Sequence, residues 1–181
     1  MMSTTAIETT PLVRHVVRSP LGALTLYATD RALVGLYFEG HRPTPRVARA
    51  RSGTSEILVR AAAELDHYFA TREHRFEVPL AFEGGTALER RVWQALLSIA
   101  PGATCSYGEI AVRVDHANAA RAIGAAVARN PISILVPCHR VIAKRGLLTG
   151  YAGGIERKAW LLAHERASFA TAGSRSRRAL A

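Results

Sequence analysis

The chain has 181 residues, of which 49% are hydrophobic and 21% charged, and its 24 Lys and Arg against 14 Asp and Glu leave a formal net charge of +10. That length supports a real hydrophobic core, in one domain or in two small ones packed together. No apolar run approaches the roughly 20 residues of a bilayer span, and no basic patch followed by an apolar stretch opens the chain as in a secretory signal, so a soluble, cytoplasmic protein is expected. Cys105 and Cys138 are the two cysteines, too few for a disulfide framework or a cysteine-rich zinc site; neither a metal site nor a cofactor is expected. The positive excess suits a phosphate polyanion, or is a solvated arginine-rich surface, and charge alone does not choose between them.

Residues 1–10 are small and polar and read as loose. Leu12 to Arg18, Ala23 to Ala28 and Leu33 to Phe38 carry β-branched and aromatic residues between turn signals, the pattern of an antiparallel meander. His41 to Gly53 reads as a loop. Thr54 or Ser55 can cap a helix to about Ala70, with Ile57, Leu58, Ala61, Ala62, Leu65 and Tyr68 at helical spacing. A short strand, Phe76 to Leu80, is expected next, and Gly84-Gly85 marks a boundary between an N-terminal α/β subdomain (1–84) and a second domain (85–170).

In the second half Thr86 can cap a helix with Leu88, Val92, Trp93, Leu96 and Leu97 on one face, ended by Pro101-Gly102. Ser106 or Tyr107 begins a short helix through Val114, Asp115 to Ala117 turn, and Asn118 can cap a helix to Arg129 that Asn130-Pro131 stops. Two short helices joined by a tight turn are a candidate helix-turn-helix, a weak signal by itself. A buried strand, Ile132 to Val136, then delivers Pro137-Cys138. Thr149 to Gly154 is a glycine-rich loop, and Glu156 to Glu165 a final helix with Trp160 inward. Residues 171–181 read as a basic, flexible tail. The fold class is α/β (α+β): a small antiparallel sheet with a helix, then a mainly helical half.

The chemistry concentrates at Val136-Pro137-Cys138-His139-Arg140-Val141. A thiolate is the reactive form of cysteine, and an adjacent base or positive charge raises its population. A lone buried cysteine is more often a small hydrophobe, and a Cys-His hydrolase is a competing reading without a matching protease or amidase signature.

Five segments, in order, resemble the O6-alkylguanine-DNA alkyltransferases (methylated-DNA–protein-cysteine methyltransferases). They are Arg91-Val92-Trp93-Gln94-Ala95-Leu96, Ser106-Tyr107-Gly108-Glu109-Ile110-Ala111, Ala119-Ala120-Arg121-Ala122-Ile123-Gly124, Asn130 to Ile142, and Thr149-Gly150-Tyr151-Ala152-Gly153-Gly154 with Arg157-Lys158 and Trp160 to Glu165. The resemblance implies direct, irreversible transfer of a methyl or alkyl group from guanine O6, and less well from thymine O4, in duplex DNA to Cys138. It implies His139 as a base acting through water, Glu165 as its orienter, Asn130 as a brace beside the cysteine, and Tyr107 as a donor to the departing guanine that also helps rotate the nucleotide. Arg121 would fill the stack vacated by a flipped base, on a helix whose Ala119, Ala120, Ala122 and Gly124 let backbone approach DNA. Val141, Tyr151, Ala152 and Gly153 would wall the alkyl pocket. The partner implied is double-stranded DNA carrying O6-alkylguanine, met by a monomer, with cooperative binding left open. The turn Asp115-His116-Ala117-Asn118 departs from the family's Gly-x-Pro-Gly. A non-catalytic alkyltransferase-like protein is the rival within this resemblance, but such proteins usually carry tryptophan where Cys138 stands.

Overall fold

The computed structural model describes residues 11–41, 50–71, 75–117, 119–167 and 169. The expected loose start, most of the arginine-rich loop, Asn118 and the basic tail 171–181 lie outside the described residues.

The meander forms as expected. β1 (Val13–Ser19), β2 (Gly22–Ala28) and β3 (Leu33–Phe38) pair antiparallel in sequence order. Alternation sets the faces: Leu24, Leu26 and Ala28 are buried while Arg14, Val16 and Arg18 are exposed. A fourth strand, β4 (Arg51–Ser52), adds to β1 in parallel, so the sheet is mixed, in the order β3-β2-β1-β4, where a loop had been expected. The expected strand Phe76–Leu80 reduces to one bridge, Leu33 to Leu80. Its Glu77 and Val78 amides donate instead to Glu64 Oε2, at 2.9 and 3.1 Å. Glu64 sits on α1 (Glu56–Thr71), which starts at Ser55, whose Oγ accepts from the Leu58 amide, and buries Leu58, Ala61, Leu65 and Tyr68.

Capping boxes start the next two helices. Thr86 and Glu89 exchange side-chain and backbone bonds at α2 (Ala87–Leu96), and Ser106 and Glu109 do so at α3 (Tyr107–Arg113). Leu97, expected on the buried face, is the C-cap of α2 and is 39% exposed. The Trp93 indole donates to the Ala126 carbonyl at 2.9 Å and pins α2 to α4 (Ala120–Ala128). Between α3 and α4, Asp115 takes the left-handed conformation (φ 57) that glycine usually supplies. His116 N–H donates to Ala111 O and Asp115 N–H to Val112 O, a Schellman closure built on aspartate. Ala119 holds the N-cap position of α4 without a side-chain bond.

The run Ile132–Val136 is buried as expected, but it is not a strand. Ile132 bridges Leu36, the chain then turns back with Val136 N–H on Ile132 O, and Ile134 has φ 69. A short apolar run reports burial without reporting period. Two residues of β5 (Cys105–Ser106) pair in parallel with β6 (Val141–Ile142). The last helix is α5 (Ile155–His164), with Trp160 half-buried and stacked on His164 at the α1 seam. One contiguous buried cluster runs from Leu24 and Leu26 on the sheet to Val141 and Leu161 in the second half.

Candidate active site

Asn130, just past α4, builds the turn that holds the sulfur. Its Nδ2 donates to Val136 O at 2.8 Å and to Cys138 Sγ at 2.9 Å, while its Oδ1 accepts from Ile132 N–H at 3.1 Å. One side-chain amide thus satisfies buried backbone groups that a strand ladder would otherwise serve. Cys138 opens a 3₁₀ turn, Cys138–Arg140, and is 4% exposed.

Glu165 reaches the same place from the end of α5, where it is the C-cap. Arg166 adopts φ 59, Arg166 N–H donates to Ala163 O and Ala167 N–H to Leu162 O, and Leu162 packs with Ala167 and Ile142. This second Schellman closure fixes where the carboxylate points. A carboxylate at a helix C-terminus is opposed by the helix dipole. Arg140 offsets that with a two-pronged contact, Nε to Oε2 and Nη2 to Oε1, both 2.8 Å. His139 Nε2 lies 3.0 Å from Oε1 and the Tyr68 hydroxyl donates to it at 2.7 Å. Burial alone would push the Glu165 carboxyl up, but the hydrogen bonds and charges of His139 and Arg140 outweigh it and hold it well below the usual range. His139 is fully buried, and burial lowers its pKa against the pull of Glu165, so the imidazole rests neutral. Its Nδ1 has no hydrogen-bond partner among the described residues.

Burial pushes the Cys138 thiol up; the Asn130 hydrogen bond and the Lys158 charge act the other way without reversing it. The resting group is therefore a thiol, which needs a base before it can attack. Lys158 is itself fully buried, donates to Val141 O at 2.6 Å and Thr149 O at 3.1 Å, and burial lowers its pKa to about 8.

The glycine-rich loop closes one side. Tyr107 and Thr149 hydroxyls are 3.1 Å apart. The Tyr151 ring packs edge-on to Phe38, and its buried hydroxyl faces Ser133 and Cys138. A Cβ on Gly153 would come 2.6 Å from the Phe38 ring, so only glycine lets the loop lie that close. Arg157 clamps the loop to the sheet by donating to Leu21, Glu39 and Gly153 carbonyls while lying over Phe38.

The residues named from the sequence thus fall into two groups. Cys138, His139, Glu165, Asn130, Val141 and Tyr151 are gathered around the buried turn, with Tyr107, Ala152 and Gly153 at its edge. Ala119, Ala120, Arg121 and Ala122 line a separate open depression of about 700 Å³ on α4. Arg121 is exposed and makes no hydrogen bond or ion pair among the described residues, and a Cβ on Gly124 would meet nothing within 4 Å. Tyr68, expected only to pack, and the buried Lys158, quoted without a role, join the site, and Arg140, unassigned from the sequence, ties Glu165 to the Ile99 carbonyl.

Two family models cover most of the chain. Residues 12–82 match the 6-O-methylguanine DNA methyltransferase ribonuclease-like domain, and residues 87–167 match the DNA binding domain of the same family. The chain belongs to the 6-O-methylguanine DNA methyltransferase family. A methylated-DNA–protein-cysteine methyltransferase of Mycolicibacterium paratuberculosis is 44% identical over 153 residues, 83% of this chain and 90% of that protein. The protein of the same name from Salmonella typhimurium is 51% identical over 102 residues, 56% of this chain and 60% of its own. Among solved structures, Mycobacterium tuberculosis OGT in complex with DNA superposes with a TM-score of 0.78 at 42% identity, covering 85% of this chain and 92% of that one. The mixed α/β architecture of this methyltransferase family is the one found here. Among the described residues, no helix is long and apolar enough to cross a membrane, and no group of three or more His, Cys, Asp and Glu is placed to hold a metal.

Proposed function

We propose that this chain repairs DNA by moving a methyl or other alkyl group from guanine O6, and less readily from thymine O4, onto Cys138 in a single irreversible turnover. The observation that carries this reading is a buried thiol braced by Asn130 beside a neutral imidazole that a fully ionised carboxylate orients. The thiol proton passes through one bridging water to His139 Nδ1, the ring nitrogen left without a protein partner among the described residues. The sulfur then attacks the alkyl carbon: the S–C bond forms and the C–O6 bond breaks. The electron pair of that broken bond stays on the base, to which Tyr107 donates a hydrogen bond, and the proton held by His139 passes back through water to it. Glu165 stabilises the imidazolium without becoming protonated itself. Among the described residues no group in the site is suited to cleave the resulting thioether, so each molecule reacts once.

An O6 substituent inside a stacked duplex cannot reach a sulfur that is 4% exposed. The nucleotide must therefore turn out, at a cost of a few kcal/mol. The α3–α4 pair is read as a helix-turn-helix whose small-residue face enters the minor groove, with Arg121, unpartnered among the described residues, filling the vacated stack. Val141, Tyr151, Ala152 and Gly153 wall the alkyl pocket. The chain divides into an N-terminal α/β subdomain (1–84) and a DNA-binding and alkyl-transfer domain (85–170), acting as a cytoplasmic monomer. Duplex DNA with a labelled O6-methylguanine decides the matter: the label belongs on the peptide holding Cys138, and its absence there ends this reading.

A further inference from the structure

We propose that Tyr68, on α1 in the first half, is a positioning residue of the transfer site: its phenol holds Glu165 and limits how strongly that carboxylate favours a proton on His139. The proposal rests on the reading of Cys138 as acceptor and His139 as its base.

Tyr68 is fully buried, with Phe69, Phe76 and His164 rings around it and His164 Nε2 2.9 Å from its own carbonyl. The ring cannot swing away. Its O–H donates 2.7 Å to Glu165 Oε1, the same oxygen that faces His139 Nε2 at 3.0 Å and Arg140 Nη2 at 2.8 Å. Burial and the Glu165 charge keep the phenol protonated, so it remains a donor. Three donors on one oxygen divide its charge three ways. Remove the phenol, and more of that charge falls on the imidazole, which stabilises the imidazolium and leaves less neutral base.

The titratable and charged groups around this pair are Glu165, Lys158 and His164 from α5 and its end, Arg140 and Cys138 from the 3₁₀ turn, Tyr151 from the glycine-rich loop, and Tyr68. Among the described residues, Tyr68 alone of these comes from the first half. Helix α1 therefore contributes to proton affinity at the site as well as to packing.

The test uses the full chain carrying Tyr68→Phe, which keeps the ring. The His139 protonation midpoint, followed by ring nitrogen NMR, is expected to rise by about half to one pH unit. The acid limb of single-turnover methyl transfer should rise with it, while the rate on the alkaline side falls no more than about threefold. Leu65→Val, a second buried change on the same helix, should lower the melting temperature and leave the midpoint in place. An unmoved midpoint in Tyr68→Phe overturns the proposal, and so does an equal shift in Leu65→Val, which would make the effect one of packing. Wild-type label failing to reach Cys138 would defeat the transfer reading instead, since the NMR midpoints are measured without any substrate.

Discussion

Lys158 Nζ donates to the Val141 carbonyl at 2.6 Å, which sets a buried ammonium directly behind the turn that carries Cys138. Burial lowers its pKa from 10.5 to about 8. Between those values the unfolded chain holds a proton that the folded chain has shed. Stability from this group therefore rises with pH across that window and is lowest below it. Urea midpoints of wild type and Lys158→Met, taken from pH 7 to 10.5, should differ by a curve of that sign. A flat difference would show that the ammonium is not strained by its burial.

Glu165 neutralises Arg140 inside the core. Glu165→Gln leaves a buried guanidinium without its counter-charge, and a loss of about 3 kcal/mol is expected in chemical denaturation. Methyl transfer should slow about a hundredfold or more, because His139 loses its orienting acceptor. Full stability together with a wild-type rate would remove Glu165 from the mechanism.

Acid should inhibit late. Because burial holds His139 below its ordinary 6.5, the imidazole stays neutral as pH falls through that value. The single-turnover rate is expected to hold to pH 6.5 and to decline only below it. The same depression removes stability in acid, since the unfolded chain takes up the proton first. A rate that halves near 7 would mean a different base.

Arg121 is expected to separate two substrates. Free O6-methylguanine needs no extrusion from a stack, whereas duplex does. Arg121→Ala should therefore slow duplex repair at least about tenfold more than reaction with the free base. Equal losses on both would take the stack-filling role away. Duplex binding should also weaken steeply with salt where arginines meet phosphates.

The sequence shows the helices well and the short pairings poorly. Thr86 with Glu89 and Ser106 with Glu109 announce α2 and α3 through side chains that act within one turn of their own backbone. β4, β5 and β6 are two residues each, too short to carry an alternation. Ile132–Val136 has a strand's composition, but its backbone bonds go to Asn130 and to itself. Cys138 and His139 could be found from their own neighbours, and Glu165 through the family resemblance. Tyr68 could not: helical spacing turns its ring inward, yet nothing local says that its hydroxyl meets a residue 97 positions away. Lys158 is hidden likewise, because a lysine in a helix is ordinarily read as solvated.

The continuous apolar cluster that joins Leu24 and Leu26 to Val141 and Leu161 makes the sheet and the sulfur parts of one cooperative unit. A fragment begun at residue 85 would bare the apolar surface that β2, β3 and α1 now cover, and would be sticky before it was inactive. Heat should accordingly melt the whole molecule in a single calorimetric peak, with no surviving reactive half.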